Sequence, residues 1–165
     1  MSVLRRGPGA CFAIAAVLAV SAATAQDAVT TRYAEGAETF QANCAVCHRP
    51  TGAGQPGLAP PLVSYPARYL ERAEGRRQLV LTVLFGMFGE IVVDEKRYNF
   101  KMPDFTRLDD ATIAAVLNFV AFDLSQAPQS AVPLAPAEVA RERPLALTGD
   151  AVRRHRAEAL DAPAP

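Results

Sequence analysis

The run Cys44-Ala45-Val46-Cys47-His48 decides how the rest of the chain is interpreted, because each of its fixed positions has a chemical task. Residues three and four apart on a helix share a face, so Cys44, Cys47 and His48 can address one planar group together. C-x-x-C-H is the attachment motif of c-type haem: the cysteines form thioethers with its two vinyl groups, and the histidine binds the iron. We therefore predict one covalently bound haem c, with His48 as the proximal ligand.

Two other uses of paired cysteines fit the sequence less well. A thioredoxin-like redox pair belongs beside a βαβ pattern, which the periodicity of this chain does not show. A structural zinc site needs four ligands, and outside the motif only His155 remains as a plausible partner.

The first 25 residues have the pattern of an export signal. Arg5 and Arg6 form a basic start, residues 10–23 form an apolar core, and Ala23-Thr24-Ala25 is a cleavage site of the A-x-A type. The core is shorter than the roughly 20 residues of a comfortable membrane span, although an uncleaved anchor remains the alternative. We predict a periplasmic protein that begins at Gln26 and has no membrane span after cleavage.

Charge gives no indication of a polyanionic partner. The chain holds 17 lysines and arginines against 17 aspartates and glutamates. Nucleic-acid-binding domains carry clustered basic charge, so we expect no nucleic acid partner.

Helical periodicity predicts three helices in the central part of the chain. The first covers 34–47 and carries the motif at its end, and the second covers 69–86, with Met87 continuing its apolar stripe. The third begins after a cap at Asp109 or Asp110. Its apolar stripe consists of Ile113, Val116, Leu117, Val120 and Leu124. A small hairpin is predicted over 91–93 and 96–99.

The composition changes at Pro128, because closely spaced prolines divide the remaining chain into short pieces. We expect residues 128–165 to form a proline-rich tail with short helices that docks on a partner protein. The alternative is that the tail packs on its own haem domain or stays disordered. Within this tail, residues 134–143 match residues 147–156 in register, which indicates either two short helices with basic ends or a chance likeness.

In their order and spacing these motifs resemble the single-haem class I cytochromes c. The resemblance covers about 33–124 and includes the motif, Gly57–Leu62, Tyr98–Pro103 and the last predicted helix. It implies an all-α cytochrome c fold, with three to five helices around one haem in a domain of residues 26–127, followed by an irregular C-terminal tail.

The same resemblance implies roles for individual residues. The carbonyl of Pro60 would accept a hydrogen bond from His48, and Leu62 and Phe105 would wall the haem. Gly36 and Phe40 of the first helix would cross Val116 and Phe119 of the last. Arg68, Tyr65 and Tyr98 are possible partners for the haem propionates, although we favour solvated surface positions for all three.

Met102 occupies the position of the sixth iron ligand in this family. A neutral thioether opposite His48 stabilises ferrous iron and raises the reduction potential, as an electron carrier requires. Met87, His155 or an open site are the alternatives, and we assign Met87 to helix packing.

The resemblance implies a one-electron carrier and not an enzyme. We expect it to serve as electron acceptor or haem subunit of a periplasmic dehydrogenase, with that dehydrogenase, a terminal oxidase or another cytochrome as redox partner. The alternative is a haem sensor or enzyme with an open or exchangeable sixth position, which a bound Met102 would exclude.

Overall fold

The structure, a computed structural model, describes residues 31–161, so the predicted signal and its cleavage site lie outside the described residues. Within this range the chain is mainly helical and has one small hairpin, which confirms the all-α prediction. The elements are α1 Ala34–Asn43, α2 Ala45–His48, α3 Ala73–Phe85, β1 Ile91–Val93, β2 Lys96–Tyr98, α4 Asp110–Asn118, α5 Pro136–Glu142 and α6 Gly149–Asp161. No helix in 31–161 has both the length and the apolar character needed to cross a bilayer.

α1 and α4 cross in close contact next to the motif. A Cβ atom on Gly36 would lie 2.2 Å from the carbonyl oxygen of Ala115, so this crossing requires glycine. One turn later Phe40 is fully buried, and its ring centroid lies 5.4 Å from that of Phe119. Val116 belongs to the same buried cluster. The crossing that the resemblance implied is therefore present, and it fixes the start of the motif against the last helix of the domain.

The motif does not lie on the end of α1, as predicted, but on a separate single turn. α1 ends at Asn43, and Cys44 has a φ of −113°, outside the helical range of about −63°. The Cys44 carbonyl then accepts bonds from the N–H groups of both Cys47 and His48, at 3.1 and 2.9 Å. α2 begins after this break, and both cysteines and the histidine line the same cavity.

The second predicted helix is divided in the structure. A 3₁₀ segment covers Pro66–Glu71, and α3 begins only after Arg72, whose backbone is extended. The predicted end at Gly86 is confirmed, because this residue takes a φ of +70°, a conformation that favours glycine. Met87 consequently lies beyond the helix, and its assignment to a helical stripe is wrong.

The predicted hairpin and the capped third helix are both confirmed. Ile91 pairs with Tyr98 in the antiparallel register of β1 and β2. The carboxylate of Asp109 accepts the N–H of Thr112 at 2.7 Å and so caps α4. The predicted stripe faces the core, with Ile113 fully buried, and a π-helical segment continues α4 to Leu124.

Residues 128–161, which we call the C-terminal segment, pack on α3 and α4 of the same chain. Leu134 and Val139 belong to the same buried cluster as Leu117 of α4. The buried Asn118 side chain of α4 also donates to the Leu134 carbonyl at 3.0 Å and accepts the Leu134 N–H at 2.7 Å. The described part of the expected tail therefore forms helices that pack on their own domain, as the alternative predicted. Docking on a partner stays a prediction.

Ion pairs add to this packing. Both carboxylate oxygens of Glu138 bind Arg76 of α3, at 2.9 and 2.8 Å, while Glu142 binds Arg77 at 2.8 Å. Burial would raise the pKa of Glu138, but the bonds from Arg76 and from the Ala135 N–H outweigh it and lower the pKa. Short helices without a core of their own are thus held by the surface of α3.

The two halves of the sequence repeat form two helices, as one interpretation predicted. Val139 of α5 and Val152 of α6 occupy equivalent positions, and both are fully buried. Each half also ends in an arginine, Arg143 and Arg156, which bind different parts of the molecule.

Candidate functional site

One mainly apolar cavity lies between the motif, the end of α3, the hairpin, α4 and α6. Cys44, Cys47 and His48 line one part of its wall, and Met102 lines another. Leu62 and Phe105 are among the apolar residues that complete the wall, as the resemblance implied. The structure thus brings all predicted site residues, including Pro60, to one space.

His48 is held in a defined orientation. Its Nδ1 lies 3.0 Å from the carbonyl oxygen of Pro60, which can only accept, so Nδ1 carries the proton. This leaves Nε2 as the free ligand atom of the ring. Burial lowers the pKa of His48, although the bond to Pro60 opposes the shift, and the neutral imidazole is the form that binds metal.

The two motif cysteines are not bonded to each other. Burial raises the pKa of the Cys44 thiol to about 11, with Arg107 acting in the opposite direction. The thiol is therefore neutral in an apolar setting. A thioether, which is also neutral, suits the same surroundings.

Met87 and Met102 form an isolated antiparallel pair. The N–H of each donates to the carbonyl of the other, at 3.1 and 2.9 Å, and residues paired in this way place their side chains on the same face. Both methionines line the cavity. A Cβ on Gly86 would lie 2.4 Å from the Met102 carbonyl oxygen, so the glycine permits this close approach.

The other proposed iron ligand lies elsewhere. The Nδ1 atom of His155 is 2.7 Å from the Gln78 side-chain oxygen, and its Nε2 atom is 3.2 Å from Arg77. His155 is not among the described residues that line the cavity.

The side chains of Tyr65, Tyr69 and Arg156 form a polar part of the cavity wall. The hydroxyls of Tyr65 and Tyr69 lie 2.6 Å apart, and Arg156 of α6 donates to the Tyr65 hydroxyl. Tyr98 is buried and also lines the cavity, so the surface position favoured for it is wrong, whereas Tyr65 lines the cavity but is only half-buried. Arg68 is exposed, as expected.

Sequence reasoning missed Arg156. Its only signal was the register with Arg143 in the repeat, and that register does not show which arginine faces a cavity.

These residues fit a haem. Two unpaired thiols, an imidazole fixed by a carbonyl and a thioether surround an apolar space, and this is the donor set that c-type haem uses. The tyrosine and arginine side chains of the wall suit the carboxylates of such a group. No cluster of three or more His, Cys, Asp or Glu side chains in 31–161 offers a different metal site. Fold and site together define a protein that holds one haem covalently.

Comparison with known proteins agrees with this class. The family model described as Cytochrome c matches residues 33–121, and the chain belongs to the cytochrome c family. It is 44% identical over 88 residues to "Cytochrome c-552" of Thermus thermophilus, which is 53% of this chain and 66% of that protein. A second protein of the same name, from a particular strain of that species, is also 44% identical over 88 residues, and the match covers 59% of its length.

Both alignments cover less than two thirds of the relatives, and the family match ends before the C-terminal segment. The prediction of a single-haem class I cytochrome c with covalently bound haem c is confirmed.

Proposed function

We propose that the protein is a periplasmic one-electron carrier whose haem iron is bound by His48 and Met102. The observation that carries this proposal is the placement of both residues on the wall of one apolar cavity, with His48 oriented by Pro60. The donor or acceptor that we propose is a periplasmic dehydrogenase, which this protein serves as separate acceptor or as haem subunit.

The residues of the chain would set the properties of the iron. Haem supplies the one-electron redox chemistry when bound. The carbonyl of Pro60 fixes the ring plane of His48 and raises the basicity of the ligand nitrogen. The Met102 thioether and the apolar walls both favour the ferrous state, because it carries less charge than the ferric state. A filled sixth position leaves no place for a substrate, which supports a carrier over an enzyme.

Met102 is preferred over Met87 because it stands in the loop before Pro103, where the family has its ligand. Met87 faces the same cavity and is therefore the matched control. We expect Met102→Ala to abolish the weak long-wavelength sulfur-to-iron absorption of the oxidised protein. It should also lower the reduction potential and let carbon monoxide bind the reduced iron.

Met87→Leu should keep the sulfur-to-iron band, because it replaces a cavity-lining side chain with an apolar one of similar size. If Met87→Leu loses the band and Met102→Ala retains it, the ligand assignment is reversed. If neither variant changes the band or carbon monoxide binding, methionine ligation itself is wrong.

The choice of a dehydrogenase partner is tested by electron transfer. The purified cytochrome should be reduced by the native periplasmic dehydrogenase at a rate that depends on both protein concentrations. Reduction at the rate seen without that enzyme would contradict the assignment.

A further inference from the structure

Arg156 is the residue through which the C-terminal segment reaches the cavity. It lies on α6, outside the part of the chain that matches the family. Arg156 is 8% exposed. Among the described residues of the C-terminal segment, it alone lines the cavity. A long cationic side chain in this position has lost most of its water, so its charge needs compensation from another source.

The protein partners of Arg156 are neutral. Its Nη2 atom donates to the hydroxyl of Tyr65 and, at 3.2 Å, to the carbonyl oxygen of Val92. The guanidinium also lies 5.4 Å from the centroid of the Tyr65 ring. No carboxylate within the described range forms an ion pair with it.

Arg143, the equivalent residue of the repeat, has a carboxylate partner that compensates its charge. It binds the carboxylate of Asp110 at 2.7 Å and the carbonyls of Thr106 and Leu108 at 2.8 Å each. Arg143 is thus satisfied within the protein, whereas Arg156 is a buried cation with no carboxylate partner among the described residues.

The donors left on Arg156 suit a carboxylate. Both of its hydrogen bonds use Nη2, so Nη1 and Nε make none with the residues that the structure describes. Nη1 keeps two N–H groups and Nε one, and each of them can donate to a carboxylate oxygen. Burial raises the pKa of Tyr69, so this neighbour stays a neutral hydroxyl and does not compete as an anion.

We propose that Arg156 binds a propionate carboxylate of the haem, with the hydroxyl of Tyr65 as a second donor. The C-terminal segment is then part of the cofactor site and contributes to the reduction potential. A cation beside the propionate offsets a negative charge near the iron, which favours the ferrous state. This proposal depends on a bound haem but not on which methionine ligates the iron.

The test compares three variants of the full-length haem protein. Arg156→Met should lower the reduction potential and shift the resonance Raman band of the propionate bending motion. Arg156→Lys, which keeps the charge, should restore the potential in large part. Arg143→Met, the matched control, should lower the melting temperature while leaving the potential and the propionate band unchanged.

Two results would overturn the proposal. One is an Arg156→Met protein that melts lower but keeps both the potential and the propionate band of the wild type, because Arg156 would then act only in packing. The other is a potential that falls equally in Arg143→Met, because the effect would then come from loosening the segment and not from the propionate contact.

Discussion

The haem motif and the C-terminal segment line the same cavity, but the motif is built from neighbouring residues and the segment from contacts that are distant in sequence. In the motif, Cys44, Cys47 and His48 lie within one turn and need only local backbone geometry. Arg156 reaches Tyr65 across 91 positions of sequence, and Arg76 reaches Glu138 across 62. The comparison shows that chemistry confined to a short spacing can be found in a sequence, whereas a site completed by distant packing cannot.

Changing the cysteines of the motif should have the largest effect, because it prevents covalent attachment of the haem. In Cys44→Ala/Cys47→Ala no thioether can form, and we expect a mature chain without covalent haem and with a cavity that its core cannot fill. Mass spectrometry of the exported protein is the measurement. The wild type should begin near Gln26 and carry the mass of one haem, and the variant should lack that mass.

Cys11→Ala is the control, because we predict that this cysteine is removed with the signal. It should leave the mass of the mature haem protein unchanged. A mature wild-type chain that carries a Cys44–Cys47 disulfide and no haem would contradict the motif assignment.

Removal of the C-terminal segment should have the next largest effect. Ending the chain at Ala127 would expose the faces of α3 and α4 that Leu134, Val139 and Val152 now cover. Burial of each such side chain contributes about 1.5–3 kcal/mol, so we expect a loss of about 5 kcal/mol. Urea unfolding of the haem-loaded protein, followed at the haem and by circular dichroism, measures it.

The truncation also separates packing from partner docking. Unchanged stability with slower electron exchange would show that the segment docks on a partner, as the sequence first indicated. The expected result is a lower midpoint in urea together with a lower reduction potential, because Arg156 is removed as well.

Truncating one buried valine in either half of the repeat should lower the stability by a smaller amount, equal for the two halves. Val139→Ala and Val152→Ala each remove two methyl groups from a fully buried site, so we expect a loss of about 2 kcal/mol for each. Val132, which is 69% exposed, is the control, and Val132→Ala should change stability by less than about 0.5 kcal/mol. A much smaller loss for Val152→Ala would show that α6 is held mainly by its polar contacts.

Much of the haem domain could be predicted because its signals are local or depend on familiar constraints. Gly36 permits a close helix crossing, Asp109 caps α4, and the bond between His48 and Pro60 follows from the resemblance. Met87 was misplaced because a residue just beyond the end of a helix can continue the spacing of its apolar stripe. The positive φ of Gly86 ends the helix and so places Met87 beyond it, which the spacing of the stripe does not show.

The contact of Arg156 with Tyr65 and the burial of Tyr98 could not be predicted for a different reason. Tyr65 and Tyr98 have sequence neighbours typical of a surface, and the contact between Tyr65 and Arg156 of α6 spans 91 positions of sequence. Prolines suggested that the tail was irregular, but Pro136 stands at the first position of α5, where its missing N–H does not matter.

The pairing of Met87 with Met102 has a consequence for the order in which the pocket forms. These residues are the two ends of a loop that contains the hairpin, and hairpins form within microseconds because their contacts are local. We expect the contacts within this loop to form before the more distant contact between α1 and α4. Newly attached haem would then meet the thioether side of its pocket early.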